Sequence, residues 1–135
     1  MNYNVVLVSL VHRKNFKELL LVKRKRNPGK GKWSLPGGFG ALKETSNPFI
    51  AIHREEDMDF SIGAKTSFFT INFVKNPKPA LNLYFLVKLL GTPRIKKSSK
   101  SIQEYKWFPI VDVLKMDLAF KEDKEVIKRF KRILC

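Results

Sequence analysis

The chain is poor in cysteine, in acidic residues and in long apolar runs, and each shortage removes a class of proteins. Its one cysteine, Cys135, is the last residue. No internal disulfide can form, so the covalent cross-links of small secreted scaffolds are excluded and a reducing, cytoplasmic setting is expected. The longest apolar runs, residues 5–11 and 83–90, are broken by Ser9 and Lys88. Both fall far short of the roughly 20 residues that cross a bilayer, and no membrane partner is expected. Met1-Asn2-Tyr3-Asn4 lacks the basic stretch that opens a secretory leader. Acids are scarce: 12 Asp and Glu face 27 Lys and Arg, a net charge of +15. Such an excess attracts anions at long range, so nucleotides, polyphosphates, nucleic acid and acidic lipid surfaces qualify as partners. Lysines that merely solvate the surface would give the same tally.

What remains is an ordinary folded composition. With 44% apolar and 29% charged residues in 135, the chain suits one domain, residues 1–135. Residues 5–11 are mostly apolar and β-branched, the pattern of a buried strand. Lys14-Asn15 is a polar turn. Residues 18–24 form a second strand that runs into the basic cluster Lys23-Arg24-Lys25-Arg26. Residues 27–32, Asn-Pro-Gly-Lys-Gly-Lys, are a loop, and 33–35 are a short strand closed by Pro36. Asn47-Pro48 is a helix-start signal, and the helix is expected over 48–58. Residues 67–74 and 81–90 look like a hairpin. Residues 92–101 read as a basic loop, 103–108 as a strand and 112–115 as a turn of helix. Residues 121–134 form a helix with Val126, Ile127, Phe130, Ile133 and Leu134 at helical spacing. Strands outnumber helices without regular alternation, which indicates α+β with a mixed sheet.

One stretch carries most of the chemistry. Gly38 is followed by Glu44, and further on come His53-Arg54-Glu55-Glu56-Asp57. This spacing resembles the box of the Nudix hydrolase family: glycine, five residues, glutamate, seven residues, then Arg-Glu, an apolar residue, any residue, Glu-Glu, any residue, glycine and an apolar residue. Gly38, Glu44, Glu56 and Phe60 match it. Ile52 stands where the arginine belongs, His53 where the first glutamate belongs and Arg54 on an apolar position. Asp57 replaces the second paired glutamate and Asp59 the glycine. The flanks, residues 20–24 with 31–39 and residues 107–110 with 118–120, look like those of the ADP-ribose pyrophosphatase-like branch. The resemblance spans nearly the whole chain. It implies a mixed β-sheet sandwiched between helices and a pyrophosphohydrolase acting on a nucleoside diphosphate linked to another moiety, such as ADP-ribose. It also implies a divalent metal, magnesium or manganese. A homodimer is compatible with it, since many relatives pair.

The residue types suit that chemistry. Hydrolysis of a diphosphate needs the charge on its oxygens neutralised, which divalent ions held by carboxylates do well. On a helix, His53, Glu56 and Asp57 share one face at i, i+3 and i, i+4 spacing. Glu56 and Asp57 are the expected ligands and catalytic acids, with Glu44 assisting or bracing the helix. His53 offers nitrogen, which suits Mn²⁺, Zn²⁺ or Co²⁺ better than Mg²⁺, or it is a surface histidine. Arg54 cannot replace the lost arginine at 52, because side chains two apart on a helix point roughly 200° away from each other. A glycine-rich turn at Gly37-Gly38 would let the backbone approach the diphosphate. Arg24, at a strand end, either meets phosphate or belongs to a solvated edge. Trp33 is a core residue or a stacking platform. A nucleotide- or RNA-binding module without turnover is the alternative reading, to which the basic charge, Ile52 and His53 all point.

Overall fold

In the computed structural model, the structure describes residues 4–27, 29–39, 58–59, 64–75, 79–92, 94–95 and 102–135. Nine strands and two helices fall within them: β1 (Asn4–Arg13), β2 (Glu18–Arg24), β3 (Trp33–Ser34), β4 (Gly37–Phe39), β5 (Met58–Asp59), β6 (Ala64–Val74), β7 (Ala80–Leu89), β8 (Arg94–Ile95), β9 (Ile102–Pro109), α1 (Ile110–Val113) and α2 (Asp123–Leu134). The expected strand over 18–24 is reproduced to the residue; those over 5–11, 67–74 and 103–108 are extended, the one over 81–90 is shifted by one residue to 80–89, and the one over 33–35 is shortened to 33–34. The short helix starts two residues before the expected 112, at Ile110, because Ile110 and Val113 are buried and anchor that turn.

Seven strands form one mixed sheet in the order β3-β2-β1-β7-β6, with β4 added to β1 and β9 to β2. β1 and β7 run parallel, Asn4 opposite Ala80 through Val11 opposite Val87. The other pairs are antiparallel. β1 is therefore central, and its largely apolar sequence, interrupted within 5–11 only by Ser9, follows from burial on both faces.

Alternation along the strands builds two cores. Val8, Leu10, Leu19, Leu21 and Tyr84 face one way, where Val126, Ile127 and Phe130 of α2 cover them. Leu7, Val11, Leu20, Val22, Phe85 and Val87 face the other way and form a second cluster with Ile102. α2 sits on the first face because its apolar residues recur every three or four positions.

The β1–β2 turn is unusual. Lys14, Asn15 and Phe16 all have positive φ, at 55°, 56° and 65°, a region that costs an L-residue roughly 1–2 kcal/mol each. The Phe16 ring offsets this: it stacks 4.2 Å from His12 and meets Phe130 edge-on at 5.9 Å. Arg13 and Lys14 both pair with Glu18 across the turn.

Three expectations change. Gly37-Gly38 is not a turn but part of β4. Met58, expected to end the helix over 48–58, lies in β5, paired with Ile95. The rest of that helix lies outside the described residues. Finally, the loop expected over 92–101 contains β8, because Arg94 and Ile95 satisfy their backbone groups against β5. Among the described residues, no helix is long and apolar enough to cross a membrane.

Candidate nucleotide site

Strand directions decide where the site residues meet. β1 and β7 begin at one end of the sheet; β2, antiparallel to β1, ends there, and so does β4. Arg24 is the last residue of β2, and Gly37-Gly38 lead along β4 toward the same end. The topology thus directs Arg24 and the two glycines, three of the residues singled out in the sequence, toward the same end of the sheet.

Each glycine does something other than turn the chain. Gly37 and Gly38 are extended and lie opposite Val8 and Leu7 of β1. A Cβ built on Gly37 would stand 2.9 Å from the Leu7 carbonyl oxygen. A glycine is required by close approach of two backbones, not by a left-handed φ. Just before it, Ser9 donates its backbone N–H to the Pro36 carbonyl at 2.7 Å, which locks β4 beside β1. The left-handed glycines of this region are Gly29 and Gly31, at φ 77° and 82°.

Arg24 closes the hairpin between β2 and β3. Its N–H donates to the Lys32 carbonyl and its carbonyl accepts from Gly31, both at 2.9 Å. Its guanidinium lies 5.1 Å from the Phe120 ring centre. A bulge between Lys23 and Arg24 re-aims the strand end against β9. Trp33 is half-buried, packs on the first core and meets Phe108 edge-on at 4.9 Å, which makes it a core-rim residue.

Glu44, His53, Glu56 and Asp57 lie outside the described residues, as does Ile52. Asp59, which takes the place of the box glycine, lies in β5 opposite Arg94. Among the described residues, no group of three His, Cys, Asp or Glu side chains converges to hold a metal.

The structure adds a set of polar residues that the sequence reading missed. Asp123, 3% exposed, opens α2 and accepts a hydrogen bond of 2.6 Å from the Tyr84 hydroxyl. Asn82 donates to that hydroxyl at 3.3 Å. Burial pushes the Asp123 carboxyl up to about 7, although the Tyr84 hydrogen bond opposes the shift. Burial first, and the adjacent Asp123 charge second, also raise Tyr84. The signal was present in the sequence: Asp123 precedes Val126, Ile127 and Phe130 at the same helical spacing that places those residues in the core. His12 is a second buried titratable group; burial and Lys88 hold it below its ordinary value. Two buried hydroxyls, Ser9 Oγ and Ser34 Oγ, have no hydrogen-bond partner among the described residues.

Comparison with known proteins follows the same lines. Residues 3–130 match the NUDIX domain profile. No curated protein sequence matches the chain. Among solved structures, the NUDIX domain of Shewanella oneidensis NrtR, in complex with ADP ribose, superimposes with a TM-score of 0.76 at 18% identity, over 100% of this chain and 90% of that one. The MutT protein of Methanosarcina mazei Go1 superimposes at 0.73 and 20% identity, covering 96% and 94% of the two chains. A bifunctional NMN adenylyltransferase/ADP ribose pyrophosphatase from Francisella tularensis gives 0.67 at 18% identity, with 99% of this chain covering 42% of that one. A mixed sheet with Gly37-Gly38 held against its central strand, and a profile match over nearly the whole length, lead to one assignment: the chain belongs to the NUDIX family, the Nudix hydrolases that its sequence resembles.

Proposed function

We propose that this domain hydrolyses the pyrophosphate bond of a nucleoside diphosphate linked to a second moiety, with ADP-ribose or a related nucleotide as substrate. The observation that supports the reading is that the strands carrying Arg24 and Gly37-Gly38 both run toward one end of the sheet, with Gly38 at family spacing from Glu44 and Glu56. Two of the similar structures carry ADP ribose or its pyrophosphatase in their names, which supports the substrate class.

In this reading the backbone of β4 passes close to the diphosphate, and the absence of a Cβ at Gly37 keeps that strand against β1. Arg24 supplies positive charge to a phosphate oxygen. Glu56 and Asp57 hold a divalent ion, with Glu44 and His53 completing its surroundings; oxygen donors suit Mg²⁺, and a histidine nitrogen tilts the set toward Mn²⁺. When bound, the ion supplies charge neutralisation and orients water.

The test is turnover of ADP-ribose, NADH and nucleoside triphosphates with Mg²⁺ and Mn²⁺. Glu56→Gln should lower the rate by roughly 100-fold or more. No turnover with any pair, from folded protein, would refute the reading. His53→Glu should move preference toward Mg²⁺; an unchanged preference removes His53 from the ligand set. Ile52 and His53 favour a second reading, a module that binds nucleotide without cleaving it. Thermal stabilisation by a nucleotide recovered intact is its signature.

A further inference from the structure

The geometry points to a binding face for single-stranded nucleic acid on the hairpin between β2 and β3 and the segment over 117–124. The inference does not rest on the proposed hydrolysis.

This hairpin is rigid and docked. Besides the two hydrogen bonds between Arg24 and residues 31 and 32, Lys32 N–H donates to the Gly29 carbonyl at 2.9 Å. A Cβ on Gly29 would fall 2.5 Å from that of Ala119, so the loop backbone lies directly on the later segment. Ala119 N–H in turn donates to the Trp33 carbonyl at 2.9 Å. The two segments therefore form one platform.

The cations on it are unlike those elsewhere. On the β1–β2 turn, Arg13 and Lys14 share Glu18, which is mostly buried. On the platform, Lys32 pairs with Asp117 at 3.0 Å. Asp117 also feels Lys121 and Lys124, and its carboxyl is lowered first by the Lys32 hydrogen bond and then by these charges. Among the described residues, the segment sets the exposed Asp117 and the half-buried Glu122 against Lys32, Lys121 and Lys124, while Arg26 and Lys30 on the adjoining loop are exposed and add positive charge. Holding like charges together on a fixed frame is unfavourable unless an anion joins them. Half-buried rings border the cations: Phe120 lies under Arg24, and Trp33, which packs its inner side on the core, ends the loop. Clustered cations with interleaved rings suit a single strand, whose phosphates take the charge and whose bases stack. A lipid surface fits worse, because among the described residues the large exposed apolar ones, Phe68, Ile71, Phe73, Leu90, Val111 and Ile133, all lie outside the hairpin and the segment over 117–124.

The test is fluorescence anisotropy with a labelled single-stranded RNA or DNA of about 12 nucleotides, across a salt series. The variant R26Q/K30Q/K121Q is compared with K65Q/K75Q/R132Q, which loses the same charge elsewhere. Each phosphate contact contributes a slope of about 0.7 in log affinity against log salt. The platform variant should lose about 2 units of slope and about 100-fold in affinity at roughly 0.1 M salt, with an unchanged melting temperature and unchanged handling of small nucleotides. The control variant should keep most of the affinity. Equal losses in both variants would overturn the inference in favour of diffuse charge. So would wild-type binding independent of salt, binding to polyglutamate as tight as to the oligonucleotide, or binding to phosphatidylserine vesicles but not to the oligonucleotide.

Discussion

Replacing Asp123 by asparagine should change how stability depends on pH. In the folded protein the carboxyl is pushed up to about 7 from 3.8, chiefly by burial, while Glu122 adds a smaller push in the same direction. The α2 N-terminus, which favours anions, and the Tyr84 hydroxyl both act against the shift. Because the folded pKa is raised, the folded state keeps a proton that the unfolded chain has lost. The stability contribution of the protonated form is complete below about pH 4 and is lost as pH rises through about 7. A shift of about 3 units corresponds to roughly 4 kcal/mol, of which about 3 kcal/mol falls between about pH 5 and 8. Asparagine keeps the shape, accepts from Tyr84 through its carbonyl and does not titrate. The difference in unfolding free energy between Asp123→Asn and wild type should therefore move in favour of the variant by about 3 kcal/mol over that range, in urea titrations at several pH values. His12 titrates equally in both proteins and cancels. Parallel pH profiles for the two would refute the assignment of a neutral buried carboxyl.

Other substitutions test other parts of the argument. Gly37→Ala should cost about 1–3 kcal/mol, because the new methyl meets the Leu7 carbonyl at 2.9 Å; an unchanged urea midpoint would show that β4 can separate from β1. His12 should titrate below its ordinary value by NMR, since burial and Lys88 disfavour its cation. With a lowered folded pKa, its stabilising contribution is lost as pH falls below about 6.5, and a titration at or above that value contradicts the packing against Phe16. Ser9→Ala should be neutral or stabilising by up to about 1 kcal/mol, because its hydroxyl is buried without a partner among the described residues; a clear loss of stability would reveal a partner.

The strands were legible because burial leaves a direct mark on the sequence. Leu19 through Val22 are all 3% exposed or less, and the uninterrupted apolar run over 19–22 reports burial on both faces. The helix over 123–134 was legible for the same reason, at a different period. What period alone could not supply was pairing across distance. β5 and β8 are two residues each, too short for any alternation, and they exist because each satisfies the other's backbone groups. The same limit explains Gly37-Gly38. Two glycines in sequence read as a turn, whereas their role is set by Leu7, some thirty positions away, whose carbonyl occupies the space a side chain would need.

Asp123 shows why a polar residue escapes a reading built on apolar period. Its position on the helix is the one that Val126, Ile127 and Phe130 mark as buried, yet an acid near a helix start is ordinarily taken as a partner for the exposed N–H groups. What decides between the two roles is the far side of the contact. Tyr84, fully buried in the parallel strand β7, brings a hydroxyl that needs an acceptor, and Asn82 fixes that hydroxyl's orientation by donating to it. An apolar residue at 123 would leave the Tyr84 hydroxyl without an acceptor, at a cost of about 1–3 kcal/mol. A charged carboxylate there would suffer the desolvation that raises its pKa. The neutral acid avoids both, so the sequence keeps a titratable residue in a core position, and a pH dependence of the fold's stability follows from that choice.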